Sequence, residues 1–168
     1  MHYFSSGQIP PKRHKQFKKP DGNLYYEELF STEGFHDKYS ILYHINHPTR
    51  IIQVGAPIDV SPQKAETEDL KPRSLYGFRI QPEDDYIRSR KVVLFNSDIH
   101  MSLAAPTKGT DDYFFKNADC DEVVFIHQGS GVMRSAYGVL PFKYGDYIVI
   151  PRGTVYQMNF DTTDNRLL

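Results

Sequence analysis

Between Glu122 and Phe160 the chain alternates short apolar runs with tight glycine turns. Residues 122–127 (EVVFIH) are rich in β-branched and aromatic side chains, which suit a pleated, half-buried surface, and the run predicts a strand. Gln128-Gly129-Ser130-Gly131 predicts a turn, residues 132–136 a second strand, Tyr137-Gly138 another turn and residues 139–142 the returning strand. Lys143-Tyr144-Gly145-Asp146 then turns the chain into the apolar run 147–150. Pro151-Arg152-Gly153 stops that run, because proline cannot donate to a ladder, and residues 155–160 resume it. Short strands at near-even spacing, with no helical period among them, predict an all-β sandwich or small barrel.

The rest of the chain is less regular. Residues 1–20 read as an N-terminal arm, with Ile9-Pro10-Pro11 extended and a basic run of Lys12, Arg13, Lys15, Lys18 and Lys19 around His14. A solvated segment and an arm lying on an acidic surface of a neighbouring subunit both fit that composition. Nucleic-acid binding does not, because no basic stripe continues beyond it. Pro20-Asp21-Gly22-Asn23 is a turn by its residue chemistry. Residues 24–30 (LYYEELF) are compatible with a short strand or one helical turn, since periodicity does not arbitrate at that length. Strands are expected at 40–46 (SILYHIN) and 50–54, and a long polar surface loop at 57–74. Residues 91–95 and 99–104 predict a hairpin around Asn96-Ser97-Asp98, with His100, Ser102 and Ala104 on one face. At the C-terminus residues 165–168 begin what reads as a new apolar strand, so a continuing polypeptide is expected. The division expected is therefore an arm, 1–20, and one β-barrel domain, 21–168.

Composition narrows the partners. A chain of 168 residues can bury a real core. A net charge of −1 provides no general field toward nucleic acid or membrane. The single cysteine, Cys120, excludes an intrachain disulfide and, lying among acids, is not expected to be an activated thiol. A cytoplasmic setting is the expectation, with no apolar run long enough to span a membrane. With 12 tyrosines, 11 phenylalanines and no tryptophan, the core should be aromatic, and its buried phenols should need partners.

The 122–156 segment resembles the cupin family of jelly-roll barrels. The pattern of a glutamate, six residues and a glycine falls on Glu122 and Gly129. The second pattern of a glycine, five residues and Pro-x-Gly falls on Gly145, Pro151 and Gly153. The resemblance places a histidine three positions later, where this chain has Tyr156. Metal-binding cupins also carry His-x-His before the glutamate; alternate strand residues share a face, and two imidazoles with a carboxylate hold non-haem iron. Here the matching positions are Lys116 and Ala118, or Phe115 and Asn117 with a spacer one residue longer. Tyr156 is a poor ligand for ferrous iron because its phenol is normally protonated. This barrel is therefore expected to be metal-free. His127, five residues past Glu122, should face the other way. His44 and His47, three apart, should lie on opposite faces, which argues against joint metal binding. Four acids between Asp111 and Asp121 allow an oxygen-rich calcium site, but a solvated loop is the simpler reading.

At closer range the chain is similar to one cupin family, homogentisate 1,2-dioxygenase. The carrying segments are 9–17 (IPPKRHKQF), 20–35 (PDGNLYYEELFSTEGF), 44–50 (HINHPTR), 113–131 (YFFKNADCDEVVFIHQGSG) and 140–154 (LPFKYGDYIVIPRGT). The resemblance implies a longer protein of two tandem cupin-like halves, of which this chain is similar to the first only. It implies an Fe(II)- and O2-dependent ring cleavage of homogentisate in tyrosine and phenylalanine catabolism, and a trimeric or hexameric assembly. It places the iron ligands and the acid–base histidine in the second half, so no catalytic residue and no bound cofactor is expected in this chain. The amino-terminal half would be scaffold and subunit interface. The rival reading is a stand-alone, metal-free binding module whose pocket is anchored by Glu122, Asn117 and Tyr156. A small cupin enzyme with an unusual metal set drawn from His44, His47 or His100 is the third.

Overall fold

A computed structural model describes residues 16–34, 36–66 and 71–168. The expected arm thus lies for its first fifteen residues, basic cluster Lys12–Lys15 included, outside the described residues. The chain divides into two compact units, Met1–Ala56 and Pro57–Leu168.

The first unit is built on an antiparallel hairpin of β1 (Tyr26–Glu33) and β2 (His36–His44). Residues 24–30, open between strand and helix in the sequence, thus enter a strand. The partner strand decides this, giving Glu28 the neighbour Leu42 and Leu29 the neighbour Ile41. The strand expected at 50–54 does not form. Ile51, Ile52 and Val54 are exposed and the segment has no ladder partner among the described residues, so β-branched composition alone does not make a strand there.

The second unit carries β3 (Lys91–Phe95), β4 (His100–Leu103), β5 (Phe115–Lys116), β6 (Glu122–Gln128), β7 (Gly131–Ser135), β8 (Gly138–Phe142), β9 (Tyr147–Ile150), β10 (Val155–Phe160) and β11 (Arg166–Leu167). Its helical content among the described residues is one 3-10 turn, Gly77–Arg79. Strands β5, β10, β7 and β8 form one antiparallel sheet, and β11, β6 and β9 a second. The β3–β4 hairpin joins the second sheet through a bridge between Ala104 and Leu167. From β6 onward the chain crosses between the sheets repeatedly, which is jelly-roll connectivity.

Alternation puts the core between the two sheets. Val124 and Ile126 of β6, Ile148 and Ile150 of β9 and Leu167 of β11 meet Met133 of β7, Phe142 of β8 and Tyr156 and Met158 of β10 in one buried cluster. Their strand neighbours Val123, Val149 and Tyr147 point outward and are exposed. The all-β, cupin-like jelly-roll sandwich expected from the sequence is the fold of this unit.

The segment 165–168 is paired on both sides. Leu167 exchanges backbone hydrogen bonds with Ala104, and Leu168 with Phe125. Asn165, fully buried, donates to the carbonyls of Pro106 and Thr162 at 3.0 Å each and accepts from the Thr162 hydroxyl at 2.6 Å. These bonds fix the entry into β11.

Candidate functional site

Glu122 opens β6, opposite Ile150, on the inward face it shares with Val124 and Ile126. Tyr156 lies on β10 of the facing sheet, on the inward face it shares with Met158. The two side chains meet across the interior, and the Tyr156 hydroxyl donates to Glu122 Oε2 at 2.8 Å.

A third group completes the contact. Arg90, immediately before β3, directs Nη1 to Glu122 Oε1 at 2.7 Å and donates from Nη2 to the Tyr156 hydroxyl at 3.1 Å. Carboxylate, phenol and guanidinium close a triangle, with the two charged side chains 10% (Glu122) and 20% (Arg90) exposed. The guanidinium lies 4.2 Å from the centre of the Tyr86 ring and 5.5 Å from that of Phe115. Phe115 in turn packs edge-on to Tyr156, with centroids 5.7 Å apart.

The turn before Arg90 aims it. Asp85 is buried, and its Oδ1 accepts from the backbone N–H of Ile87 and of Arg88 at 2.9 Å each, while its other oxygen pairs with the Arg88 side chain. The Ser89 N–H closes the turn onto the Asp85 carbonyl at 2.9 Å. One buried aspartate thereby folds 85–89 into a turn and leaves Tyr86 and Arg90 on the interior side. Asp84 ties this turn to the next loop: its carbonyl accepts from the N–H groups of Thr107 and Lys108, and the Lys108 ammonium holds its carboxyl below the usual range.

The electrostatics follow from burial and closeness. Burial pushes the Tyr156 phenol far above its ordinary value, and the Glu122 carboxylate adds to the rise while Arg90 opposes it. Tyr86, also buried, is raised by the same desolvation, with Arg90 again opposing. Burial would pull the Arg90 guanidinium down, but Tyr86, Tyr156 and Glu122 more than offset this and hold it above its ordinary value. At neutral pH both phenols are therefore neutral and the Arg90 guanidinium is charged.

This donor set does not fit iron. Glu122 has no imidazole beside it; its oxygens face a guanidinium and a hydroxyl. A +1 and a +2 charge about 4 Å apart repel by roughly 8 kcal/mol at an effective dielectric near 20, so a divalent ion sharing Glu122 with Arg90 is opposed at close range. Among the described residues, no group of three or more His, Cys, Asp or Glu side chains is arranged to hold a metal.

Of the three pocket residues anticipated from sequence, the structure brings Glu122 and Tyr156 together. Asn117 is engaged elsewhere: its Oδ1 accepts from the N–H of Asp119 and Cys120, and its Nδ2 contacts Cys120 Sγ at 3.3 Å. The histidines are also apart. His44 pairs with Glu28 at 2.8 Å, His47 contacts Thr49 at 3.1 Å, and His100 packs edge-on to Phe95. His127 leaves the core face and stacks on Phe78, with centroids 3.6 Å apart and planes 8° apart. In the acidic stretch, Asp111 accepts from Asn159 and Asp121 from the Arg152 N–H, so these carboxylates serve separate loops. Sequence reasoning missed Arg90 and Tyr86. The available signal was indirect: an inward Glu122 requires a partner, and the run Asp84 to Arg90 supplies two arginines immediately before a strand. No helix among the described residues is long and apolar enough to cross a membrane.

The inner carboxylate at the head of β6, with its tyrosine partner across the barrel, defines a cupin-like sandwich closed by its own side chains. No protein-family model matches the chain. Among proteins of known sequence, the chain is similar to "Putative dioxygenase SSO1533" of Saccharolobus solfataricus, at 35% identity over 158 residues. That alignment takes in 94% of this chain and 41% of the relative, so the chain spans less than half the relative's length. Among solved structures, it is similar to a cupin-2 domain containing protein from Shewanella frigidimarina (TM-score 0.42, 19% identity, 47% of this chain and 76% of that one). It is also similar to protein NMB1881 from Neisseria meningitidis (TM-score 0.46, 11% identity, 56% of this chain and 95% of that one). The fold class rests on the strands themselves, through their pairing, crossovers and inward alternation.

Proposed function

We propose that this chain is the amino-terminal, non-catalytic half of a ring-cleaving dioxygenase of the homogentisate 1,2-dioxygenase type, and that its barrel is scaffold and subunit interface in a cytoplasmic homo-oligomer. The observation that carries the reading is the commitment of Glu122 to Arg90 and Tyr156, which leaves this barrel without a free carboxylate for iron. The likeness to a protein named as a dioxygenase, running along 94% of this chain and 41% of that protein, supports the same reading. Ferrous iron, O2 and homogentisate then belong to a site built from residues outside these 168. The chain's own contribution is rigidity: two sheets locked across their interior by a charged, aromatic-lined contact. A small-molecule pocket anchored by Glu122, Asn117 and Tyr156 is less favoured, because each of those groups already has partners within the chain.

The test is ring cleavage followed by O2 uptake and maleylacetoacetate formation. The 168-residue chain supplied with Fe(II) should give no turnover, and the product of the gene's entire reading frame should give turnover. Turnover by the 168-residue chain, or none on homogentisate by the whole product, would contradict the reading.

A further inference from the structure

The position beside Glu122 is built for a cation. A carboxylate oxygen stands 2.7 Å from the charge, two aromatic rings flank it, and the Tyr156 hydroxyl turns its lone pair toward it while donating its proton to Glu122. Ring faces and a carboxylate attract positive charge without demanding a coordination geometry, as in the cages that hold organic cations. A planar guanidinium matches the site: one nitrogen faces the carboxylate, another the phenol, and its central carbon lies over the Tyr86 ring.

We infer that the interior of this barrel is a cation site whose resident ion is the guanidinium of Arg90. The chain supplies its own cation where a metal-dependent barrel keyed on the same glutamate would recruit one from solution. Two consequences follow. The intact site excludes divalent metal by occupancy. Removing the Arg90 side chain should leave a cage selective for small planar organic cations. The inference rests on the scaffold reading only in treating the barrel as non-catalytic, and its test needs no turnover.

The experiment is chemical rescue of the full 168-residue chain. Arg90→Ala should melt at a lower temperature than the wild type, and low millimolar N-ethylguanidinium should restore most of the lost midpoint. It should leave the wild type and the Glu122→Gln/Arg90→Ala double variant unmoved, and sodium at equal ionic strength should not substitute. Absence of rescue in a folded Arg90→Ala chain would overturn the inference. Should Arg90→Ala fail to fold, Arg90→Lys and Arg90→Met decide: the lysine variant should melt well above the methionine variant, and equal midpoints would overturn the inference. Titration of the wild type with Co2+ should give no visible absorption band that depends on Glu122. A band corresponding to one ion per chain and lost in Glu122→Gln would overturn it independently of any activity assay.

Discussion

Tyr156 and Glu122, 34 residues apart and on facing sheets, share a 2.8 Å hydrogen bond in which the phenol donates to the carboxylate. Both residues stand at positions that motif spacing picked out of the sequence, and each takes the other as partner. With Arg90 on the remaining oxygen, the contact joins the two sheets by a polar triangle at the edge of their buried hydrophobic cluster. The charges are a cost of desolvation that the pairing offsets, so removing any one corner should be worse than replacing the whole set.

Tyr156→Phe keeps the ring against Phe115 and deletes only the hydroxyl. Glu122 Oε2 loses its donor and Arg90 Nη2 its acceptor. Stability should fall by about 1–3 kcal/mol, the cost of leaving buried polar groups without partners. Tyr144, 71% exposed, provides the control. Its change to phenylalanine should stay within about 0.5 kcal/mol. Denaturant midpoints of the two variants check this.

Alkaline pH should destabilise the fold through the buried phenols. Tyr86 and Tyr156 are raised above the ordinary tyrosine value chiefly by burial, so they stay protonated in the folded chain where the unfolded chain ionises them. Below about pH 10 both states hold these protons and the phenols give no slope. Above it the unfolded state holds fewer, and stability falls by up to about 1.4 kcal/mol per pH unit per phenol. Tyr113 is shifted in the same direction by the same cause and adds to the trend. Unfolding free energies measured across this range should show a shallower fall for Tyr156→Phe than for the wild type. An unchanged slope would contradict the assignment.

The sequence made the second half of the chain legible because its inward residues alternate without interruption. Strands expected at 122–127, 139–142, 147–150 and 155–160 lie within a residue or so of β6, β8, β9 and β10. Four glycines in this region, Gly129 and Gly145 among them, take positive φ, a conformation few other residues adopt readily. Legibility failed where a partner, rather than composition, decides. Residues 50–54 have strand composition and, among the described residues, no strand to pair with, whereas 24–30 have mixed composition and a partner in β2. The site divided in the same way. Glu122 and Tyr156 were readable from motif spacing, but Arg90 reaches them from an irregular turn whose shape depends on the burial of Asp85, and no local pattern announces that.

At Gly131 the backbone of a neighbouring strand comes close. The glycine lies opposite Phe160 in the β7–β10 ladder, and a Cβ there would stand 2.0 Å from the Asn159 carbonyl oxygen and 2.9 Å from Phe142 Cζ. The carbonyl belongs to the facing strand and cannot yield without moving the ladder. Gly131→Ala should therefore cost about 2 kcal/mol or more. Gly55→Ala, where an added Cβ meets nothing within 4 Å, should be nearly neutral. Thermal midpoints of the two variants provide the comparison, and equal shifts would contradict it.

The most direct measurement is a double-mutant cycle on stability between Arg90 and Glu122, using Arg90→Met, Glu122→Gln and the combination. If the guanidinium is the ion this carboxylate is built to hold, each single change should cost roughly 3 kcal/mol, and the double change should cost no more than either single one, a coupling of about 3 kcal/mol. Additivity within about 0.5 kcal/mol would mean that the two charges stand side by side without holding each other, and the account would be wrong.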